Sequence, residues 1–212
     1  MKTSYSPAMI NEKLSKHYDK FVDAIFVGKK LQGKTLSLID LSKTKTLLDV
    51  GCGSGTLVTM VKKSNPHLSV IALDPGKTTT DTVKEKSEKM GLKIEVIRSS
   101  AESMPIKDRS QDTVVSSLAF HHMPLETKKL ALIEINRVLK DTGTFVLVDI
   151  GKPKNLLWRV LLSIESIVEP REYLKDNLQG RIPQLAKEAG FKTIEIRKPY
   201  MGIRFWRCEK QR

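Results

Sequence analysis

Residues 47–57 read LLDVGCGSGTL. An apolar run holding one acid, Asp49, breaks into Gly51, Gly53 and Gly55 before apolar residues resume at Leu57. A packed core gains nothing from three glycines at alternate positions. Glycine permits positive φ and lets a ligand lie against bare backbone. The pattern predicts a buried strand, a loop that cradles a ligand, and a helix behind the loop.

The rest of the chain alternates in the same way. TLVTMVKKS predicts a helix stopped at Asn65-Pro66, and LSVIALDP a second strand closing on Asp74-Pro75. Residues 78–90 predict a charged surface helix closed by Gly91, and KIEVIRSS and DTVVSSLAF a third and fourth strand. An amphipathic helix over 126–140 leads to a fifth strand, GTFVLVDI. Short apolar strands joined by helices argue for an α/β fold, a parallel sheet covered on both faces. Right-handed crossovers make it doubly wound, with ligands at the carboxyl ends of the strands. TIEIRK and GIRFWRCE, separated by Pro199-Tyr200-Met201-Gly202, predict an antiparallel hairpin on the sheet edge and bring the strands to seven.

One domain is expected over 1–212: an N-terminal helical segment over 1–45, a ligand-binding core over 46–150, and further helices with the hairpin over 151–212. Residues 8–40 read as helical, with Leu14, Tyr18, Phe21 and Ile25 near helical spacing. Residues 154–169, KNLLWRVLLSIESIVE, carry an apolar stripe of Leu157, Leu161, Ile164 and Val168. That helix either packs on the sheet beside a pocket or forms an apolar lip that touches lipid, and is too short to span a bilayer.

No apolar run is long enough to span a membrane, and the N-terminus lacks an apolar signal core, so a cytoplasmic location is expected. The two cysteines, Cys52 and Cys208, form no CxxC, which excludes a cysteine zinc site and fits a reducing compartment. The net charge of +13 is uneven. Residues 47–150 carry 14 Lys and Arg against 13 Asp and Glu, residues 1–46 carry 9 against 4, and residues 151–212 carry 14 against 7. The basic flanks are either a solubilising surface or a face for an anionic partner such as a lipid surface or a nucleic acid.

The ligand of the glycine loop follows from its neighbours. Asp74 stands 19 residues beyond Gly55, where an acid commonly accepts the hydroxyls of a ribose. A dinucleotide loop would be G-x-G-x-x-G, and here it is G-x-G-x-G. Asp49 just ahead of it repels a diphosphate and suits a cation. S-adenosylmethionine, with a sulfonium, an ammonium and no phosphate, meets both conditions.

LLDVGCGSG, ALDP, SSAESMPIKDRSQDTVVSSLAFHHM and EINRVLKDTGTFVLVDIGKP, in this order, resemble successive motifs of class I S-adenosylmethionine-dependent methyltransferases. The resemblance spans about residues 40–155, with a weaker echo at LAKEAGFKTIEI, and points to the ubiquinone/menaquinone C-methyltransferase-like branch. It implies a Rossmann-like sheet and S-adenosylmethionine as cofactor. It implies that Asp49, Gly51, Cys52, Gly53, Ser54 and Gly55 line the methionine and ribose portion. Asp74 and Pro75 would hold the ribose, Ser100, Ala101 and Glu102 would border the adenine, and Ser117 would sit near the reaction centre. Ser100 replaces the frequent Asp or Asn, and Asp141-Thr142-Gly143 replaces the usual Pro-Gly-Gly turn.

Methyl transfer is an in-line displacement that needs alignment and exclusion of water, and no metal. His121 and His122 follow the fourth strand, where one could act as a base or merely shape the loop. Tyr18 lies in the N-terminal segment, which folds over the cofactor as a lid in the family resembled. The greasy stripe at 154–169 favours a lipophilic small-molecule substrate, and the basic flanks a peripheral contact with anionic membrane. Other readings stay open. An NAD-dependent reductase lacks its third glycine one residue later. A nucleic-acid methyltransferase suits the basic flanks but lacks an Asn- or Asp-Pro-Pro-aromatic motif, since SLAFHH stands there. A cofactor-binding protein without catalysis would show the same loop.

Overall fold

The order of the strands decides where a ligand can sit. In the computed structural model, which describes residues 28–153, 171–200 and 202–211, a seven-stranded sheet runs β3-β2-β1-β4-β5-β7-β6. Its strands are β1 (Thr46–Val50), β2 (Ser69–Asp74), β3 (Glu95–Arg98), β4 (Gln111–Ser117), β5 (Leu139–Ile150), β6 (Phe191–Glu195) and β7 (Ile203–Lys210). The described helices are α1 (Gly28–Leu36), α2 (Thr56–Ser64), α3 (Lys77–Lys89), α4 (Leu125–Val138), α5 (Arg171–Gln179) and α6 (Ile182–Glu188). From β1 the chain winds outward through β2 to β3, then crosses back to β4 on the other side of β1. The winding reverses between β1 and β4, so the carboxyl ends of these two strands flank the crevice of a doubly wound sheet.

β1 through β5 run parallel to one another, and β7 runs antiparallel between β5 and β6. Alternation along β5 builds two cores. Phe145 and Leu147 face one way, against Leu132 and Ile135 of α4, Leu185 of α6 and Phe191. Val146 and Val148 face the other, with Leu31 of α1, Val58 and Val61 of α2 and Phe205. Both layers are sealed, which explains why the central strands are apolar on both faces.

Several boundaries differ from those expected. β3 covers only Glu95–Arg98, because Ser99 and Ser100 turn away after the Ser99 N–H bonds to the Asp74 carbonyl at 3.2 Å. β4 stops at Ser117 rather than 120: Leu118 takes φ +57, and Phe120–His122 coil into one 3₁₀ turn. β5 begins at Leu139 and runs through Asp141-Thr142-Gly143, with an irregularity in register opposite Gln111 and Thr113. Polar residues read as a turn are thus absorbed by a bulge. In the N-terminal part, the described helix is Gly28–Leu36. Residues 8–27 of the helical reading, Tyr18 among them, and the apolar stripe at 154–169 lie outside the described residues. Among the described residues, no helix is long and apolar enough to cross a membrane.

Candidate active site

The glycine loop hangs from the end of β2. Gly51 and Cys52 N–H donate to the Leu73 carbonyl at 2.8 and 3.1 Å, and Gly53 N–H donates to Asp74 Oδ2 at 3.1 Å. Gly51 and Gly53 have φ +74 and +51, conformations that strain any other residue. A Cβ at Gly51 would also collide with the Ala119 methyl from the β4 exit loop. At Gly53 the space is open, so there the bare backbone faces room for a ligand.

A cleft opens over this loop at the switch point. Asp49, Gly51, Cys52, Gly53 and Ser54 line it from β1 and the loop, and Ser117 and Leu118 from the end of β4. Gly28 and Gln32 of α1 close a third side. Three buried oxygens on these walls, Asp49 Oδ1, Gln32 Oε1 and Ser117 Oγ, find no hydrogen-bond partner among the described residues. Asp49 is 2% exposed, and burial first, then the Asp74 charge, push its carboxyl up to about 8. Burying an acid without a donor costs several kcal/mol on the order of an unmade hydrogen bond or more. Three unpartnered oxygens on residues that line one cleft suit a ligand bringing cations and donors. A sulfonium and an ammonium fit this site, and a diphosphate does not.

Of the predicted residues, Asp49, Gly51, Cys52, Gly53, Ser54 and Ser117 share the cleft. Gly55 instead starts α2 with φ +71, packed against Val83 of α3. Asp74 lies beneath the loop. Its Oδ2 accepts from Gly53, and its Oδ1 from Gly76 N–H at 2.9 Å and Thr79 Oγ1 at 2.6 Å. Each of its two oxygens thus already accepts from the protein, with lone pairs left over for a further donor. Pro75 follows it. Ser100, Ala101 and Glu102 follow β3, beside the end of β2 but off the described cleft walls, with Glu102 Oε2 accepting from Thr127 Oγ1 at 2.9 Å. Cys52 is buried, its thiol raised by burial and by Asp49 and Asp74, and so a poor nucleophile.

The two histidines part company. His121 is 3% exposed and its Nδ1 lies 2.7 Å from Asp149 Oδ1. His122 is exposed, its ring 3.8 Å from that of His121. Gln32, Leu118 and Asp149 were not among the predicted residues. Gln32 belongs to no motif. Asp149 did carry a signal, since it is an acid one residue from the end of the fifth strand, much as Asp74 closes the second.

Residues 48–147 match the family model described as a methyltransferase domain. This segment is a methyltransferase domain. It spans the glycine loop, the switch point and strands β2 to β4 with most of β5. A demethylmenaquinone methyltransferase of Bacillus licheniformis is 28% identical over 146 residues, which cover 68% of this chain and 62% of that protein. The ubiquinone/menaquinone biosynthesis C-methyltransferase of Rickettsia prowazekii is 26% identical over 92% of this chain and 88% of its own length. Among solved structures, an S-adenosylmethionine-dependent methyltransferase from Aquifex aeolicus superimposes with a TM-score of 0.68 at 20% identity, over 92% of this chain and 96% of that one. That last likeness is one of fold. S-adenosylmethionine is the cofactor expected of such a domain, and the acceptors on the cleft walls suit it.

Proposed function

We propose that this chain transfers the methyl group of S-adenosylmethionine to a lipophilic small molecule, such as a quinone precursor or a lipid, while resting against an anionic membrane surface. The observation that carries the first half is the convergence of Asp49 Oδ1, Gln32 Oε1 and Ser117 Oγ on the cleft over the glycine loop. In this reading Asp49 and residues 51–55 hold the methionine and ribose, Asp74 and Pro75 the ribose, and Ser100, Ala101 and Glu102 the adenine. Ser117 would sit near the reaction centre. When bound, the cofactor supplies a methyl group already activated by its sulfonium. The chain's own work is to align the acceptor with that methyl group and to exclude water.

The substrate class is supported by the names of the relatives, which act in menaquinone and ubiquinone biosynthesis. The membrane contact is supported by charge. Lys34 of α1 lies over the Tyr200 ring at 4.9 Å, and Arg197 and Arg207 approach Ser37 and Leu38 at 3.5 Å. Residues from the two basic flanks, far apart in sequence, thereby share one face. Beside Arg207 in the sheet register stands Ile194, an exposed apolar residue. Cations around apolar side chains suit an anionic lipid interface.

The test is a methylation screen with tritiated S-adenosylmethionine over quinols, phospholipids in phosphatidylcholine/phosphatidylglycerol vesicles, and RNA. Label in the organic phase is expected, with vesicle association that weakens as salt rises. Label confined to RNA would replace the substrate class. Tight cofactor binding with no label in any acceptor would favour a protein that binds without catalysis.

A further inference from the structure

The next-to-last residue of β5 is a carboxylate with no access to water. Asp149 is 0% exposed, yet its two oxygens serve three elements. Oδ2 accepts the Phe120 N–H at 2.7 Å. Oδ1 meets His121 Nδ1 at 2.7 Å, accepts the Ile150 N–H at 2.7 Å and lies 3.3 Å from Asn177 Nδ2 of α5. Asn177 Nδ2 also donates to the Ile150 carbonyl at 2.9 Å, so α5 is tied twice to the end of β5.

The loop that Asp149 grips is the wall of the cofactor cleft. Ser117 and Leu118 line that cleft, Leu118 holds the unfavourable φ of +57, and Ala119 abuts the bare face of Gly51. A strained exit loop needs its far end fixed. Leu118 N–H itself bonds to the Val148 carbonyl at 2.8 Å, and beyond it Phe120 and His121 are both fixed on Asp149. Burial alone would raise the Asp149 carboxyl. The charge and hydrogen bond of His121, the charge of His122 and the Ile150 N–H outweigh burial and hold it below the usual carboxylate range. It is therefore an anion, and its bonds are the short, charge-assisted kind.

Other charges face this point. Lys128 of α4 donates to the Tyr173 carbonyl and lies 3.8 Å from Asp176, which also pairs with Arg181. Arg204 of β7 stands opposite Asp149 in the register, but it is held by Glu195 at 2.9 Å and by the Lys152 carbonyl at 2.6 Å. The direct partners of the Asp149 carboxylate thus come from the β4 exit loop, from β5 itself and from α5.

We infer that Asp149 is a positioning residue for methyl transfer: its carboxylate pins the β4 exit loop against the glycine loop, fixes the ring of His121 and ties α5 to the same point. It touches neither cofactor nor substrate and acts through Phe120, His121 and Asn177. The inference rests on the reading of the cleft as the cofactor site. It adds a coupling that the cleft residues alone do not reveal: the helix following residues 154–170 and the cofactor loop share one anchor.

The test uses the full chain, calorimetric titration with S-adenosylhomocysteine, and NMR titration of the His121 ring. Asp149→Asn keeps the shape and removes the charge. It should weaken binding about tenfold, the scale of one charge-assisted bond, and His121 should give up its ring proton at lower pH than in the wild type. Leu132→Ala, a cavity in the core under α4, is the control for general destabilisation, and it should leave affinity within about twofold. Should Asp149→Asn fail to fold, His121→Gln and Asn177→Ala carry the test, each expected to weaken binding about threefold. Wild-type affinity in Asp149→Asn, or in both of the milder variants, overturns the inference. Failure of the wild type itself to bind S-adenosylhomocysteine would instead overturn the reading of the cleft.

Discussion

Asp49 sits at the end of a strand where every neighbour is apolar, and its carboxyl is pushed up to about 8 by burial and by Asp74. At pH 7 it is therefore mostly protonated when no cation lies beside it. A sulfonium or ammonium in the cleft stabilises the anion and lowers that pKa. Binding of S-adenosylmethionine at pH 7 should then release close to one proton. Titrations in phosphate and in Tris measure it as a difference in apparent enthalpy. Asp49→Asn should abolish the release and weaken binding. The same residue governs stability with pH. Its folded pKa lies above the ordinary carboxylate value, so the folded state holds the extra proton and stability falls as pH rises from about 4 towards 8. In Asp49→Asn that part of the slope should vanish from denaturation curves taken across the range; an unchanged slope would remove Asp49 as its source. Asp49 was legible in the sequence because an acid has no business in an apolar strand. Gln32 was not, because one glutamine in a polar helix carries no mark of its own, and only the packing of α1 against the loop turns it towards the cleft.

At the scale of elements, the stretch after β3 depends on one side chain. Arg137 of α4 donates to the carbonyls of Met104 and Ile106 at 2.9 and 2.7 Å, and pairs with Glu134 at 2.7 Å and with Asp108 at 2.5 Å. Glu134 in turn accepts the Met104 N–H at 2.8 Å. The loop that leads away from Ser100, Ala101 and Glu102 is thereby clamped to α4. Arg137→Met should keep the aliphatic packing and lose the clamp, lowering the free energy of unfolding in urea by about 2 kcal/mol, the scale of bonds to a charged group. A change under about 0.5 kcal/mol would mean that the loop is held by other contacts. The strands and helices themselves were legible because period 2 and period 3.6 are written in the apolar positions. Their ends were less so. β4 was expected to run to 120, since DTVVSSLAF holds no glycine or proline, and nothing local announces that Leu118 turns into the left-handed region. The loop beyond that turn is tied to Asp149, whose Oδ2 accepts the Phe120 N–H from 29 residues further on. In the same way the bulge that draws Asp141–Gly143 into β5 answers to its partner strand, not to its own composition.

The whole molecule follows from one reversal of winding. β1 and β4 are parallel neighbours whose connections leave in opposite directions, so their carboxyl ends part, and the cleft is walled by those ends and the loops that leave them, by the first turn of α2 and by α1. The alternation of strands and helices made this crevice legible, and the acid at the end of β2 made its ligand class legible. The packing of α5 onto the end of β5 was not, because it is built by long-range ties such as Asn177 to Asp149 that leave no periodic signal. The geometry also separates the two nucleoside cofactors that such a sheet can take. A cleft with three unpartnered oxygens, one of them on the buried acid Asp49, favours a cation over a diphosphate. Calorimetric titration of the full chain with S-adenosylmethionine and, in parallel, with NAD reads that difference directly. Saturable binding of S-adenosylmethionine with no heat from NAD is the expected result; saturable binding of NAD with none of S-adenosylmethionine contradicts it.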